Sequence, residues 1–539
     1  MSFNLTRRDA LRLLGIGALA AGGGLLARRF LSPAPAMTPT PPTRVAPTRP
    51  GPTSPSPVTP AATQPPTGPV DLEVELRAVA DQVSILPGAA TQVWRYQGRV
   101  LQGPPEALQI LPDTYLGPIF HVRKGWRVRV HFSHELPEET IVHWHGLHVA
   151  DVNDGHPRFV IPAGQTYVYD FQILDRAGTY WYHPHPHGRT GPQVYYGLAG
   201  FFLVHDDEEE AAGLPQGEYD IPLVLQDRVF DGNNQLVYLR NGMDRMVGFL
   251  GNRLLVNGRP DFTLSVATRP YRLRILNGSN ARIYKLAWED GAPLTVIGTE
   301  GGLLERPVQK EYVTLGPAQR VELWVDFSGL PLGARRQLVS LPHAAPGGEA
   351  GFPVLTAVVE RQESVDLPLP ERLSAIAPYR EADAVNAGQP RTFVLAMAPG
   401  MGWALNGRTF EMTATADDEV VRLGDLEVWS FVNAGGMGGM GMGGMGMGGM
   451  MNLPHPMHVH GLQFQILRRR VAPQAQAYWD TLGLGFVNEG WHDTVLVLPG
   501  EQVDILLKFT DFEGLYLYHC HNLEHEDMGM MRNYRVVRG

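Results

Sequence analysis

Eight of the nineteen histidines fall into four His-x-His pairs: His143/His145, His183/His185, His458/His460 and His519/His521. On a β-strand, residues i and i+2 face the same side, so each pair can aim two imidazoles at one point. Eight imidazoles from four strands are enough to hold a cluster of three metal ions. One such pair is most often a surface coincidence. Four pairs in strand-like runs are not.

A second site follows from the same alternation. The single cysteine, Cys520, lies between His519 and His521 and so points to the opposite face of its strand. His455 precedes His458 by three positions, an odd offset that favours that opposite face. His525 follows Cys520 by five and Met530 by ten. Two imidazoles, one thiolate and a weak axial thioether make a blue-copper electron-transfer site. Cys520 is one residue from two members of the cluster, so electrons collected singly at one site have a short through-bond path to the other.

Strands must position these groups, and from Val70 onward the pattern is all-β. Short apolar and polar alternations, such as Arg127-Val128-Arg129-Val130-His131-Phe132, recur between Gly, Pro and Asp turn signals. Many short strands of this kind predict β-sandwiches. A length of 539 residues suggests three or four domains. Three blocks are natural: 70–208, ending at an acidic turn over Asp206 to Glu210, then 215–362, then 390–539. Block two contains one histidine, His343. Block three carries an insert made only of Gly and Met, Gly435 to Met451, with seven of the 18 methionines.

The N-terminal segment reads as an address. Arg7 and Arg8 precede an apolar run from Leu13 to Ala27, and Ala34-Pro35-Ala36 has the small-x-small form of a cleavage site. Residues 1–36 are expected to be a twin-arginine export signal, with an uncleaved anchor as the alternative. Residues 37–69, with twelve prolines and eight threonines, are a linker with nothing to bury. The net charge of −10 without basic clusters argues against nucleic acid as a partner. Exported proteins usually use disulfides, and one cysteine cannot form one internally, so Cys520 has another task or none, and its place between His519 and His521 points to a task.

The motifs His143-Trp-His145-Gly146, Trp181-Tyr-His183-Pro-His185, His455-Pro-Met-His458-Val-His460-Gly461 and His519-Cys-His521-x3-His525-x4-Met530 resemble those of three-domain multicopper oxidases. The resemblance is to bacterial laccases and periplasmic copper-efflux oxidases. Block two adds Leu255-Val-Asn257-Gly258 and Tyr271-Arg-Leu-Arg-Ile-Leu-Asn277-Gly278, so the likeness spans 70–539. It implies three cupredoxin-like Greek-key sandwiches and four copper ions. The implied type 1 ligands are His455, Cys520, His525 and Met530. Type 2 copper takes His143 and His458. The type 3 pair takes His145, His183, His185, His460, His519 and His521.

Reducing O2 to water consumes protons, which carboxylates can supply as general acids. The resemblance points to Asp154 and Glu526; ordinary loop acids are the plain alternative. His187 has the right parity, but the family uses only the first two histidines of that run. His148, His156 and His492 read as supporting or surface residues, and Met528 and Met531 have the wrong spacing from Cys520. The expected activity is oxidation of phenols or aromatic amines by a monomer, with Cu(I) oxidation as the alternative. The Gly/Met insert then either captures Cu(I), which soft thioethers favour, or is a flexible tether. The protein is expected to be periplasmic or extracellular. A catalytically inert relative of the same fold is disfavoured, because such proteins lose copper ligands.

Overall fold

The computed structural model describes residues 67–398, 402–433 and 452–539. The export signal, nearly all of the linker and the Gly/Met insert lie outside the described residues. The described chain is all-β, with six sheets and a few short helices.

Alternation does what the sequence suggests. Arg127–His134 buries every second residue, sending Val128, Val130 and Phe132 inward and the arginines out. It sits in a four-stranded sheet ordered Thr91–Gln102, Leu72–Val83, Arg127–His134, Thr166–Gln172. A five-stranded sheet faces it, ordered Leu108–Gln109, Ile119–Arg123, Gly200–His205, Gly178–Pro184, Val142–His145. Leu76, Val130, Trp144, Tyr182 and Phe202 fill the space between them.

Two further sandwiches repeat this topology, with six and five strands between Asp220 and Arg361 and two sheets of five from Arg391 onward. In each, the first strand pairs in parallel with a later one: Leu72–Ala78 with Val128–His134, Asp220–Leu225 with Arg272–Asn277, and Arg391–Leu395 with Trp429–Asn433. The facing sheets also contain one parallel pair each. Parallel neighbours require long crossovers. Apolar contacts then join the sandwiches. Ile119, Trp181 and Phe201 pack on Leu255 and Leu276, and Ile283 packs against Phe486 and Leu496.

One expectation needs correction. The acidic stretch after block one is a short helix, Asp207–Ala211, rather than a turn. Asp206 caps it by accepting the Glu209 N–H, and Glu209 is buried against Arg272 and Arg274 of the second sandwich. A run of acids reads as solvated surface, but here one of them pairs inward.

Four strands position the histidine pairs: His143, His145, His183, His458 and His519 lie within them, and His185, His460 and His521 follow directly after their ends. Val142–His145 lies antiparallel to Gly178–Pro184, with His143 opposite His183. His455–Val459 lies antiparallel to Gly514–Cys520, with His458 opposite His519 and Met457 opposite Cys520. The first sandwich presents one ribbon and the third presents the other. Among the described residues no helix is long and apolar enough to cross a membrane.

Candidate metal centre

All eight paired histidines are buried and converge. Ring nitrogens face one another at 3.4 Å between His143 and His458, 3.4 Å between His145 and His183, and 3.4 Å between His183 and His521. His519 Nε2 lies 3.3 Å from that of His185 and 3.0 Å from that of His460. Two compact triads result, His145/His183/His521 and His185/His460/His519, beside the pair His143/His458.

Outward hydrogen bonds set the direction of most rings. His143 Nδ1 donates to the Asp154 carbonyl at 2.5 Å, and His458 Nδ1 donates to the Asp493 carbonyl at 2.7 Å. His183 and His519 donate to the carbonyls of Pro184 and Cys520. Burial drives the imidazoles down, to about 3 for His183, His458 and His519, so they are neutral. A neutral ring that donates from Nδ1 carries a lone pair on Nε2. His143 and His458 therefore point two lone pairs at each other across 3.4 Å. Two acceptors at that distance repel each other unless a cation or a hydrogen-bond donor lies between them, and neutral imidazole suits copper. The residues fit the metal.

The second constellation lies on the other face of the cysteine strand. Cys520 Sγ is 3.4 Å from His455 Nδ1 and 3.7 Å from His525 Nδ1, and the two rings are 3.2 Å apart at Nδ1. His525 Nε2 donates to the Met246 carbonyl at 3.0 Å, which leaves its Nδ1 lone pair facing the sulfur. The Trp403 ring packs on both imidazoles, with centroids 4.9 and 4.5 Å away. Burial pushes the Cys520 thiol up. Met530 is fully buried in the same cluster as Cys520, and its carbonyl accepts the Cys520 N–H. Met531 instead joins Phe410 and Leu517, and Met528 lies at the periphery.

Asp154 and Glu526 both border the histidine cluster. Asp154 Oδ2 accepts from His460 Nδ1 at 2.8 Å. Glu526 lies 3.6 Å from His185 Nε2 and 3.3 Å from His519 Nδ1. Burial raises both carboxyls well above their ordinary range; neighbouring Asp151 and Asp527 add to it. Asp154 Oδ1 and Glu526 Oε2 have no hydrogen-bond partner, and neither do His185 Nδ1 and His521 Nδ1. Orphaned buried polar atoms of this kind mark places for a proton, a water or an ion.

The remaining histidines stay outside the cluster. His187 is exposed and lies against Phe410. His148 bonds the Gly461 carbonyl and Asp511, and His156 bonds Asn533. His492 is buried and donates to Glu300. Sequence reasoning missed Asp493, whose Oδ1 accepts from His145 Nε2 at 3.0 Å. Its place beside His492 gave no local signal. Arg320, Met246 and Trp403 were missed for the same reason, since each reaches the site from another part of the chain.

Residues 89–209 and 384–539 each match a multicopper oxidase family model. A laccase of Bacillus stratosphericus is 30% identical over 500 residues, covering 83% of this chain and 91% of its own. The McoA multicopper oxidase of the hyperthermophile Aquifex aeolicus has a TM-score of 0.73 at 35% identity, over 87% of this chain and 96% of that one. A multicopper oxidase of Campylobacter jejuni, described as a metallo-oxidase, has a TM-score of 0.69 at 27% identity, over 86% and 91%.

Proposed function

This chain belongs to the multicopper oxidase family, and on that premise we propose a laccase-type enzyme that oxidises phenols or aromatic amines and reduces O2 to water. Four electrons and four protons convert one O2 into two waters. The observation that carries the reading is the pair of facing lone pairs on His143 and His458, set within eight converging imidazoles.

Four copper ions are proposed: type 1 at His455, Cys520, His525 and Met530, type 2 at His143 and His458, and type 3 at the two triads. Bound copper supplies one-electron acceptance at the cysteine site and O2 reduction among the histidines. The protein's own groups do the rest. Peptide bonds join Cys520, the last residue of the strand Gly514–Cys520, directly to His519 and His521. Asp154 and Glu526, kept protonated by burial, hold protons at the unpartnered Oδ1 and Oε2 beside the cluster. The Met246 carbonyl orients His525, and Trp403 keeps water from its ring.

A second reading, oxidation of Cu(I), has one observation in its favour. Asn433, the last described residue before the Gly/Met insert, donates to the Leu453 carbonyl at 2.8 Å, two residues before His455. The base of the insert is thus tied beside the proposed type 1 ligands. The metallo-oxidase description of the Campylobacter jejuni relative points the same way. Steady-state rates for Cu(I) and a simple phenol, measured side by side on protein with four coppers per chain, decide between the two. A phenol rate far below the Cu(I) rate would overturn the laccase assignment.

Export by the twin-arginine route remains part of the proposal. Replacing Arg7 and Arg8 by Lys is expected to leave precursor in the cytoplasm, as cell fractionation would show.

A further inference from the structure

The second sandwich supplies none of the twelve proposed ligands, yet one of its side chains reaches their site. Arg320 opens the strand Arg320–Asp326 and is 1% exposed. Its guanidinium uses all five N–H groups. Nη1 donates to Asp493 Oδ1 at 2.8 Å and to the Ala318 carbonyl at 3.0 Å. Nη2 donates to Asp493 Oδ2 at 2.5 Å and to the Glu300 carbonyl at 3.3 Å. Nε donates at 2.8 Å to the Thr179 carbonyl, on the strand that carries His183. Asp493 in turn accepts the Nε2–H of His145 on Oδ1 and the Nδ1–H of His458 on its backbone carbonyl.

We propose that Arg320 is a positioning residue for the histidine cluster: by clamping Asp493 it fixes the orientation and tautomer of His145 and His458 together. The inference rests on the copper reading above. His145 is the one ring of the eight that turns Nδ1 toward its neighbours; the other seven present Nε2. That reversed ring needs an acceptor behind Nε2, and Asp493 Oδ1 supplies it at 3.0 Å. Groups that hold the far nitrogen of a ligating histidine set its tautomer and its basicity.

The glycine after His145 is shaped to the same pair. Gly146 has φ +91°, and a Cβ there would lie 2.4 Å from Asp493 Oδ2 and 3.0 Å from Arg320 Nη2. Only glycine lets the guanidinium and carboxylate close onto this backbone. The pair also ties the three sandwiches at one point: Asp493 lies in the third, Thr179 in the first and Arg320 in the second. Without the two guanidinium donors, the buried Asp493 carboxylate would be left an uncompensated charge.

Arg320→Lys keeps the charge but cannot make two parallel bonds to one carboxylate. In the holoprotein it is expected to change the hyperfine splitting of the type 2 electron paramagnetic resonance signal. It should also weaken retention of that copper against a chelator by about 10- to 100-fold, the usual cost of losing such support. The blue absorption of the Cys520 site should keep its full intensity per chain. Arg272→Met is the control, because Arg272 is buried in the same sheet and pairs with Glu209 and Glu322 but touches no cluster residue. It should lower the melting temperature and leave the splitting alone. Wild-type splitting and retention in Arg320→Lys would overturn the proposal, as would an equal change in Arg272→Met. In metal-free protein, the His145 Nε2–H and His458 Nδ1–H protons should exchange slowly in the wild type and rapidly in Arg320→Lys. Equal exchange in the two would also overturn it, and this readout holds even if the copper assignment fails. Absence of copper from the wild type would overturn only the reading on which the inference rests.

Discussion

The ring Nδ1 of His460 donates to Asp154 Oδ2 at 2.8 Å, although 306 positions separate them in the chain. The backbone carbonyl of the same aspartate holds His143. Asp154 thus touches one ring from each half of the cluster while its Oδ1 stays free. Asp154→Asn keeps an acceptor for His460 but removes the acid. Reoxidation by O2 should slow by about 100-fold, the scale of general acid catalysis. Anaerobic reduction of the Cys520 site should keep its wild-type rate. Stopped-flow traces of the two half-reactions separate these outcomes, and an unchanged reoxidation rate would exclude Asp154 as proton donor.

Cys520 is the only thiolate available to the second constellation. Cys520→Ser should abolish the blue absorption and the oxidation of any reducing substrate. Copper at the eight histidines should remain, as measured by metal content. A bright blue Cys520→Ser protein would remove Cys520 from the type 1 site.

The buried helix acid Glu209 gives a prediction about stability. Burial alone would raise its carboxyl, but Arg272 and Arg274 outweigh burial and hold it far below the ordinary carboxylate range. Its folded value is therefore below its unfolded value, near 4.3. The stabilisation is present above that unfolded value and is lost as pH falls below it. Glu209→Gln should cost about 3 kcal/mol at neutral pH, because two buried guanidiniums lose a partner. The difference from wild type should shrink as the pH is lowered below about 4. Denaturant titrations at several pH values test this, and a constant difference down to pH 3 would refute it.

Deleting residues 436–450 tests the insert. If its thioethers hand Cu(I) to the type 1 site, Cu(I) oxidation should fall several-fold while activity on bulky phenols holds or rises. Both rates should be taken at matched copper loading. Unchanged Cu(I) kinetics would leave the insert as a tether.

Much of this was legible in the sequence, for a physical reason. Period-two alternation is strict, so His519, Cys520 and His521 had to divide between two faces, and they do. The odd offset of His455 from His458 spans a proline, and His455 lies on the Cys520 side of the strand pair, 3.4 Å from the sulfur. What stayed hidden was whatever depends on contact between sandwiches. Asp493 and Arg320 are 173 positions apart, and neither carries a local pattern that forecasts the other. Nothing in the acidic stretch forecasts the burial of Glu209, because the arginines it meets belong to another sandwich. The Met246 carbonyl could not be foreseen at all, since a backbone acceptor has no residue type.

The division of Gly514–Cys520 between two faces also limits how this protein can change. Met457 lies opposite Cys520 and His458 opposite His519, so alignment with the neighbouring strand fixes both centres at once. Losing or gaining a single residue here would turn the sulfur toward the eight imidazoles and two of those imidazoles away from them. Neither centre can be moved along the chain without the other. Variation that tunes them separately is confined to groups behind the rings, such as the Met246 carbonyl on one side and Asp493 on the other. The strand behaves as a reading frame, tolerant of substitutions around it and intolerant of a shift.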